Sequence, residues 1–365
     1  MNTLMVFSKK ESLKVKGIAI LLLLFHHMYL NKSLVSSSGV RLLFLSESQL
    51  IAIAASARVC VWLFAFLSAY GLSLQYKPIY ESNPEKTLYF YCRRLWKLLL
   101  PYQTYLVFFW IISFFIFPSH TIFDQYNGNV LLYAIGDFFA LNDLLNFPKF
   151  SGVFWYMSFA MIEVLLVPAI YDIVKRINIG VIPLTLILIK LTNTSSISSP
   201  QGGSYLAYML IIESAILFAQ MDLFAKIASL MNSIKTNKKI VCFLVLFLLR
   251  IICMKINGMN KLVDYTLIRW IFATISAIAI ILFSFLFLRC KWLESMFMFL
   301  GRYSLFMFLV HIVIVRRFVP FVFFSKNVII SWMICLIASL LFSISFSFVI
   351  NQMNLNRLME IKLFK

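Results

Sequence analysis

Apolar positions in this chain come in long unbroken runs, not in the strict alternation of a half-buried strand. The runs lie near 16–30, 50–75, 96–117, 151–173, 179–191, 204–221, 239–256, 265–288, 296–316 and 327–350. A helix that crosses a bilayer needs roughly 20 such residues. The pattern therefore predicts an all-α, polytopic transmembrane helix bundle of about ten spans. The run near 179–191 is short for a span. The stretch 130–147 is also apolar, but Asp137 and Asp143 interrupt it, which predicts an interfacial helix. No repeat of 20–50 residues and no inverted halves are visible. The chain 1–365 reads as a single domain, with the bundle over about 10–351 and a short tail at 352–365. Lys9, Lys10, Lys14 and Lys16 precede the apolar stretch Ile18 to Phe25, like the opening of a signal peptide. No small-x-small cleavage site follows, so an uncleaved first helix is expected.

Composition narrows the class further. The 365 residues are 62% hydrophobic and 13% charged, with a mean hydropathy of +0.91, which excludes most soluble classes. The 38 Phe and 16 Tyr exclude disorder. The net charge of +19 would suggest nucleic acid in a soluble chain. Here the basic residues fall between apolar runs, where they set topology, and no nucleic-acid partner is expected. With the N-terminus inside, 20 Lys and Arg fall in cytoplasmic segments and 9 in outer loops. Both termini are therefore expected in the cytoplasm. The outer loop 118–150 carries three aspartates and one lysine, and with the Ser/Gly-rich run 195–203 it is a candidate to face an acceptor. The six cysteines form no C-x-x-C pair, and with four histidines they offer no metal-ligand spacing. They read as packing residues.

Ionisable groups inside apolar runs are functional candidates, although each also fits a polar pair between helices. They are His26, His27, Arg58, Glu163, Glu213, Arg250, Arg269, Arg302 and His311. The first helix is the most specific. Lys16 and His27 are eleven residues apart, which leaves an offset of roughly 20° on one helix face and a rise of about 16 Å. Lys16 then sits at the cytoplasmic border and His27 deeper in the membrane. His26 points about 100° away from His27. A second basic cluster, Arg93, Arg94 and Lys97, lies at the cytoplasmic entrance of the third run and is followed by Pro101. With Lys16 it could form a phosphate-binding pocket, or it could be ordinary topology charge.

These residues and their flanks resemble the integral-membrane acyltransferase family 3, which includes O-acetyltransferases of bacterial surface polysaccharides. Leu13-Lys14-Val15-Lys16-Gly17, running to Phe25-His26-His27, is similar to the family's basic residue, glycine and eleven-residue step to a histidine. The stretch from Val61 to Gly71, containing Ser68-Ala69-Tyr70-Gly71, is similar to its second-helix motif. Arg94-x-x-Lys97 before Leu99, Leu100, Pro101 and Tyr102 resembles its paired-arginine motif. Phe154-Trp155-Tyr156 with Pro168 resembles its fourth-span motif. Gly301-Arg302-Tyr303-Ser304-Leu305, then Phe308-Leu309-Val310-His311, resembles its late segment. Lys16 and Lys97 stand where arginine is commoner, which keeps the charge and loses the bidentate fork. Ala160 occupies the position where one branch has a glutamate, and Glu163 lies three residues further on. The extra esterase-like domain of some members is not seen, so the chain resembles the stand-alone form.

The resemblance implies a multi-pass protein of the bacterial cytoplasmic (inner) membrane. It implies transfer of an acetyl or other short acyl group from acyl-CoA to a sugar hydroxyl of a surface polysaccharide or its lipid-linked precursor. Acetyl-CoA is then the donor substrate, and no permanently bound cofactor is expected. His27 is the catalytic candidate, as general base or as transient acyl carrier. Lys16, Arg93, Arg94 and Lys97 would hold the CoA phosphates. His26, Arg58, Tyr156 and His311 are supporting candidates. A transporter or polymerase of lipid-linked glycans is the competing class. It leaves the Lys16/His27 spacing and the basic third-run entrance unexplained.

Overall fold

The computed structural model describes residues 7–41, 45–116, 121–191, 198–199, 203–258 and 266–352. The expected tail at 353–365 and most of the run 195–203 lie outside them. The regular structure of the described residues is helical apart from one antiparallel pair of two-residue strands, Ser198–Ser199 with Gly203–Ser204, and a parallel bridge between Arg41 and Asn327. In order the helices are α1 (Lys9–Tyr29), α2 (Lys32–Ser38), α3 (Glu47–Ser56), α4 (Cys60–Ser82), α5 (Thr87–Ile116), α6 (Ile122–Gln125), α7 (Val130–Phe138) and α8 (Trp155–Ile177). There follow α9 (Val181–Leu191), α10 (Met209–Gln220), α11 (Leu223–Ser233), α12 (Thr236–Gly258), α13 (Thr266–Phe287), α14 (Lys291–Arg317), α15 (Val319–Val322) and α16 (Val328–Gln352).

Among the described residues, seven helical stretches are long and apolar enough to cross a membrane, or eight if the broken pair Tyr205–Gln220 and Leu223–Ser233 counts as one span. The chain is a multi-pass, all-α membrane protein. Each apolar run predicted above coincides with a helix, but two runs behave differently from simple spans. The stretch Gly152–Leu191 is helical over 40 residues and contains both the fourth and the fifth run. It breaks at Asn178, whose φ of 50° is left-handed. Trp155 and Phe159 of α8 pack on Tyr208, and Gln220 Nε2 donates to the Tyr171 carbonyl at 2.8 Å, so α8 and α10 run in the same direction. Thr185 of α9 donates to Glu213, midway along α10, so α9 runs back against both. At eleven residues α9 rises only about 16 Å, roughly half a bilayer core.

The helices form two compact units, residues 1–67 with 221–349 and residues 68–220 with 350–365. The first unit is organised around α1 and α14. A Cβ on Gly17 would overlap the Phe297 carbonyl, and one on Gly301 would overlap the Leu13 carbonyl. The two glycines therefore let the backbones touch, as small residues do where membrane helices cross closely. Tyr29 Oη donates to the Val328 carbonyl at 2.6 Å and ties the end of α1 to the start of α16. Asn31 caps α2, Gly39 ends it at φ 63°, and a Ser46–Gln49 capping box starts α3.

In the second unit the segment 121–150 departs from expectation. The interfacial helix predicted over 130–147 ends at Phe138, and the chain then turns irregularly, with Ala140 at φ 57° and Asn146 at φ 53°. The cause is polar. Asp137 is buried and accepts from Tyr126 Oη at 2.7 Å, Tyr102 Oη at 2.9 Å and the Phe150 amide at 2.8 Å. Asp143 pairs with Lys149 at 2.6 Å and accepts from Tyr205. Asn142 Nδ2 donates to the carbonyls of Tyr133 and Pro148. Leu131, Leu132 and Ile135 stay exposed, the outward face of an interfacial helix. Asp137 and Asp143 are thus internal braces, while Asp124 is exposed and caps its own turn at Thr121.

Burial pushes the Asp137 carboxyl above the usual carboxylate range, and its hydrogen bonds only partly offset this. Asp137→Ala orphans three buried donors and is expected to destabilise the protein by roughly 3 kcal/mol. Asp137→Asn keeps an acceptor and should cost less. Thermal unfolding in detergent checks the order; equal melting temperatures for Asp137→Ala and the parent would disprove it.

Candidate active site

Two lysines of α1 that are near neighbours in sequence have opposite environments. Lys14 is 2% exposed, pairs with Glu11 at 2.7 Å and Glu294 at 3.4 Å, and donates to the Leu288 carbonyl. It pins α1 to α14. Lys16 is half-buried and forms no ion pair among the described residues. Lys16, not Lys14, is therefore the cation open to a ligand on the face it shares with His27.

Three histidines meet at the far end of α1. His27 lies ring to ring with His311, with centroids 4.8 Å apart, and with His26 at 5.0 Å. His26 is buried, and its Nδ1 lies 2.7 Å from the Ala54 carbonyl. His311 is completely buried, with Nδ1 2.5 Å from the Phe308 carbonyl. A carbonyl only accepts, so both Nδ1 atoms carry the proton and both Nε2 atoms present lone pairs. His311 Nε2 has no hydrogen-bond partner among the described residues. His27 keeps part of its surface accessible and forms no hydrogen bond among the described residues. Its two neighbours are held by backbone carbonyls, while its own nitrogens are open to a substrate.

The charged side chains whose field reaches His27 are Arg316 and Arg58. The basic surroundings suit an anionic donor or a developing oxyanion. Arg58 sits in the single turn between α3 and α4, exposed, and its field reaches both His26 and His27.

The remaining candidates fall in the second unit. Phe90, Arg94 and Lys97 lie on one face of α5. The Arg94 guanidinium covers the Phe90 ring at 5.7 Å, and its Nε is buried without a hydrogen-bond partner among the described residues. Arg93 is exposed and Lys97 half-buried. Phe90 in turn meets Tyr76 at 5.5 Å, and Tyr76 meets Tyr171 at 5.5 Å, which fixes α5 against α4 and α8. Tyr156, on α8, packs edge-on to Trp155 at 5.9 Å. Glu163 is fully buried on the same helix.

Of the groups predicted above, the first unit brings together His26, His27, His311 and Arg58. Arg250 is spent on the Ser56 carbonyl at 3.3 Å, and Arg302 points to the exposed face of α14. Arg316 was missed, because its position at the end of an apolar run made it look like loop charge. The contact of His27 with His311 was equally invisible, since the two are far apart in the chain and nothing local marks their pairing.

A family model described as an acyltransferase domain matches residues 14–348. No curated protein and no solved structure gives a significant match. The match runs from the buried Lys14 of α1 to the last turns of α16 and takes in the histidine group and the basic face of α5. This membrane protein thus belongs to acyltransferase family 3.

Proposed function

We propose that this membrane acyltransferase is an O-acyltransferase of the bacterial cytoplasmic membrane. It moves an acetyl or other short acyl group from acyl-CoA to a sugar hydroxyl of a surface polysaccharide or its lipid-linked precursor. The observation that carries the reading is His27. It shares the face of Lys16 on α1, stays accessible, and has no hydrogen bond among the described residues, between two histidines that do. As base it takes the proton of the acceptor hydroxyl while that oxygen attacks the thioester carbonyl. The carbon–sulfur bond breaks, and the proton passes to the departing CoA thiolate. As acyl carrier His27 would hold the acetyl group between two such steps. Labelled acetyl retained on the protein in the absence of acceptor marks the second course.

By the family resemblance Lys16 is assigned to the CoA phosphates, and Arg93, Arg94 and Lys97 are taken separately as candidates for the same role. The 20 to 9 division of basic residues supports cytoplasmic termini and a donor that arrives from that side. Replacing both Arg94 and Lys97 with alanine is expected to weaken acetyl-CoA binding by about tenfold or more, with little change in expression. Calorimetric titration of purified protein measures this. Unchanged affinity in the double variant returns these residues to a purely topological role. The function itself is tested by base-labile acetyl groups on surface glycans of cells with and without the gene. Identical acetylation in both would refute it.

A further inference from the structure

At the end of α1 opposite Lys16, the first unit holds a cleft of about 670 Å³, within the range of small-molecule sites. It is lined by the end of α2, the start of α3 and residues 325–327. Leu50 is buried in its floor, while Ser36, Arg41, Glu47 and Lys326 are exposed at its rim beside Asn327. Two features distinguish it from a surface dent. First, the backbone holds two cations together: the Arg41 amide donates to the Lys326 carbonyl at 2.8 Å, and the Val328 amide donates to the Arg41 carbonyl at 3.2 Å. Lys326 adopts φ 51°, a conformation that a non-glycine residue adopts at some cost. Second, the carboxylate in the cleft is already oriented, because Ser36 Oγ donates to Glu47 Oε1 at 2.7 Å. That leaves acceptor oxygen for a ligand hydroxyl, and two cations against one anion.

The cleft is also in line with the histidines. Glu47 and Ala54 are both on α3, about 10 Å apart along its axis, and the Ala54 carbonyl binds His26. The Tyr29–Val328 hydrogen bond ties the 325–327 side of the cleft to the end of α1. Along this unit the order is Lys16, His27, cleft. We infer that the cleft docks the acceptor as an acidic saccharide, its carboxylate or phosphate on Arg41 and Lys326 and a hydroxyl on Glu47, so that a neighbouring sugar hydroxyl reaches His27.

The inference rests on the acyltransferase reading above, and its test keeps the two apart. Membranes of a deletion strain supply the native glycan, and labelled acetyl-CoA is the donor. Each variant is added at matched protein level. The Arg41→Ala/Lys326→Ala double variant is expected to transfer about tenfold less label or worse, from the loss of charge-assisted contacts. Its acetyl-CoA affinity should equal that of the parent. The charge-keeping pair Arg41→Lys/Lys326→Arg should retain most transfer. High salt should depress transfer by the parent more than by the double-alanine variant. Parent-level transfer by the double-alanine variant, or parent transfer indifferent to salt, overturns the cleft assignment. A matching loss of acetyl-CoA affinity also overturns it, because the cations would then serve the fold or the donor. If the parent and His27→Ala transfer alike, the catalytic reading itself has failed.

Discussion

Alanine at His27 is expected to abolish the proposed glycan acylation while the protein still reaches the membrane, the largest effect expected of any single side chain here. A positioned base contributes on the order of 10²–10⁴ in rate, or about 3–5 kcal/mol of barrier. Among the described residues His27 alone of the three histidines combines an accessible ring with nitrogens that have no hydrogen-bond partner. His26→Ala should be milder, because it removes a bond to the Ala54 carbonyl and a packing ring. His311→Ala should fall between them, since it removes the ring against which His27 rests. Surface acetylation in a deletion strain carrying each variant at matched level ranks the three. Full acetylation with His27→Ala and none with His26→Ala would reverse the assignment. Full acetylation with both would end it for this helix.

The second large effect is steric. Gly17→Val and Gly301→Val each place a side chain where a backbone carbonyl of the partner helix already lies. Neither carbonyl belongs to a flexible side chain, so α1 and α14 must move apart. Overpacking of a tight core costs about 1–3 kcal/mol, and a backbone obstacle puts these variants at the top of that range. The same movement separates His27 on α1 from His311 on α14, so activity should fall further than folding does. Size-exclusion profiles and melting temperatures in detergent report the first loss, and acetylation per folded molecule reports the second. A Gly17→Val protein with the parent's melting temperature and activity would show that the two helices do not cross closely there.

What could be read from the chain alone followed from periodicity and solvent. A bilayer leaves backbone groups no water to bond, so long apolar runs must become helices, and the runs near 16–30 and 296–316 are α1 and α14. The eleven-residue step from Lys16 to His27 was legible for the same reason, because helix geometry is local and puts both on one face. Charge sign and composition excluded soluble classes, and the motif order pointed to the acyltransferase family.

Only the tertiary structure decided what those elements do to one another. Lys14 and Lys16 are the same residue type on one helix. Glu11 and Glu294 make Lys14 a brace, while Lys16 pairs with no carboxylate among the described residues. Asp137 and Asp143 looked like outward polar breaks in an interfacial helix. Instead Tyr102, Tyr126, Lys149 and the Phe150 amide turn them inward and end α7 early. The reversal at Asn178 depends on α10 offering Glu213 and Gln220 to two different segments. His311 became the neighbour of His27 because Gly17 and Gly301 bring two helices nearly 300 residues apart in sequence to backbone contact. Local propensity specifies a helix and its faces; which face meets which is fixed by side-chain volume and by charges that must find partners away from water.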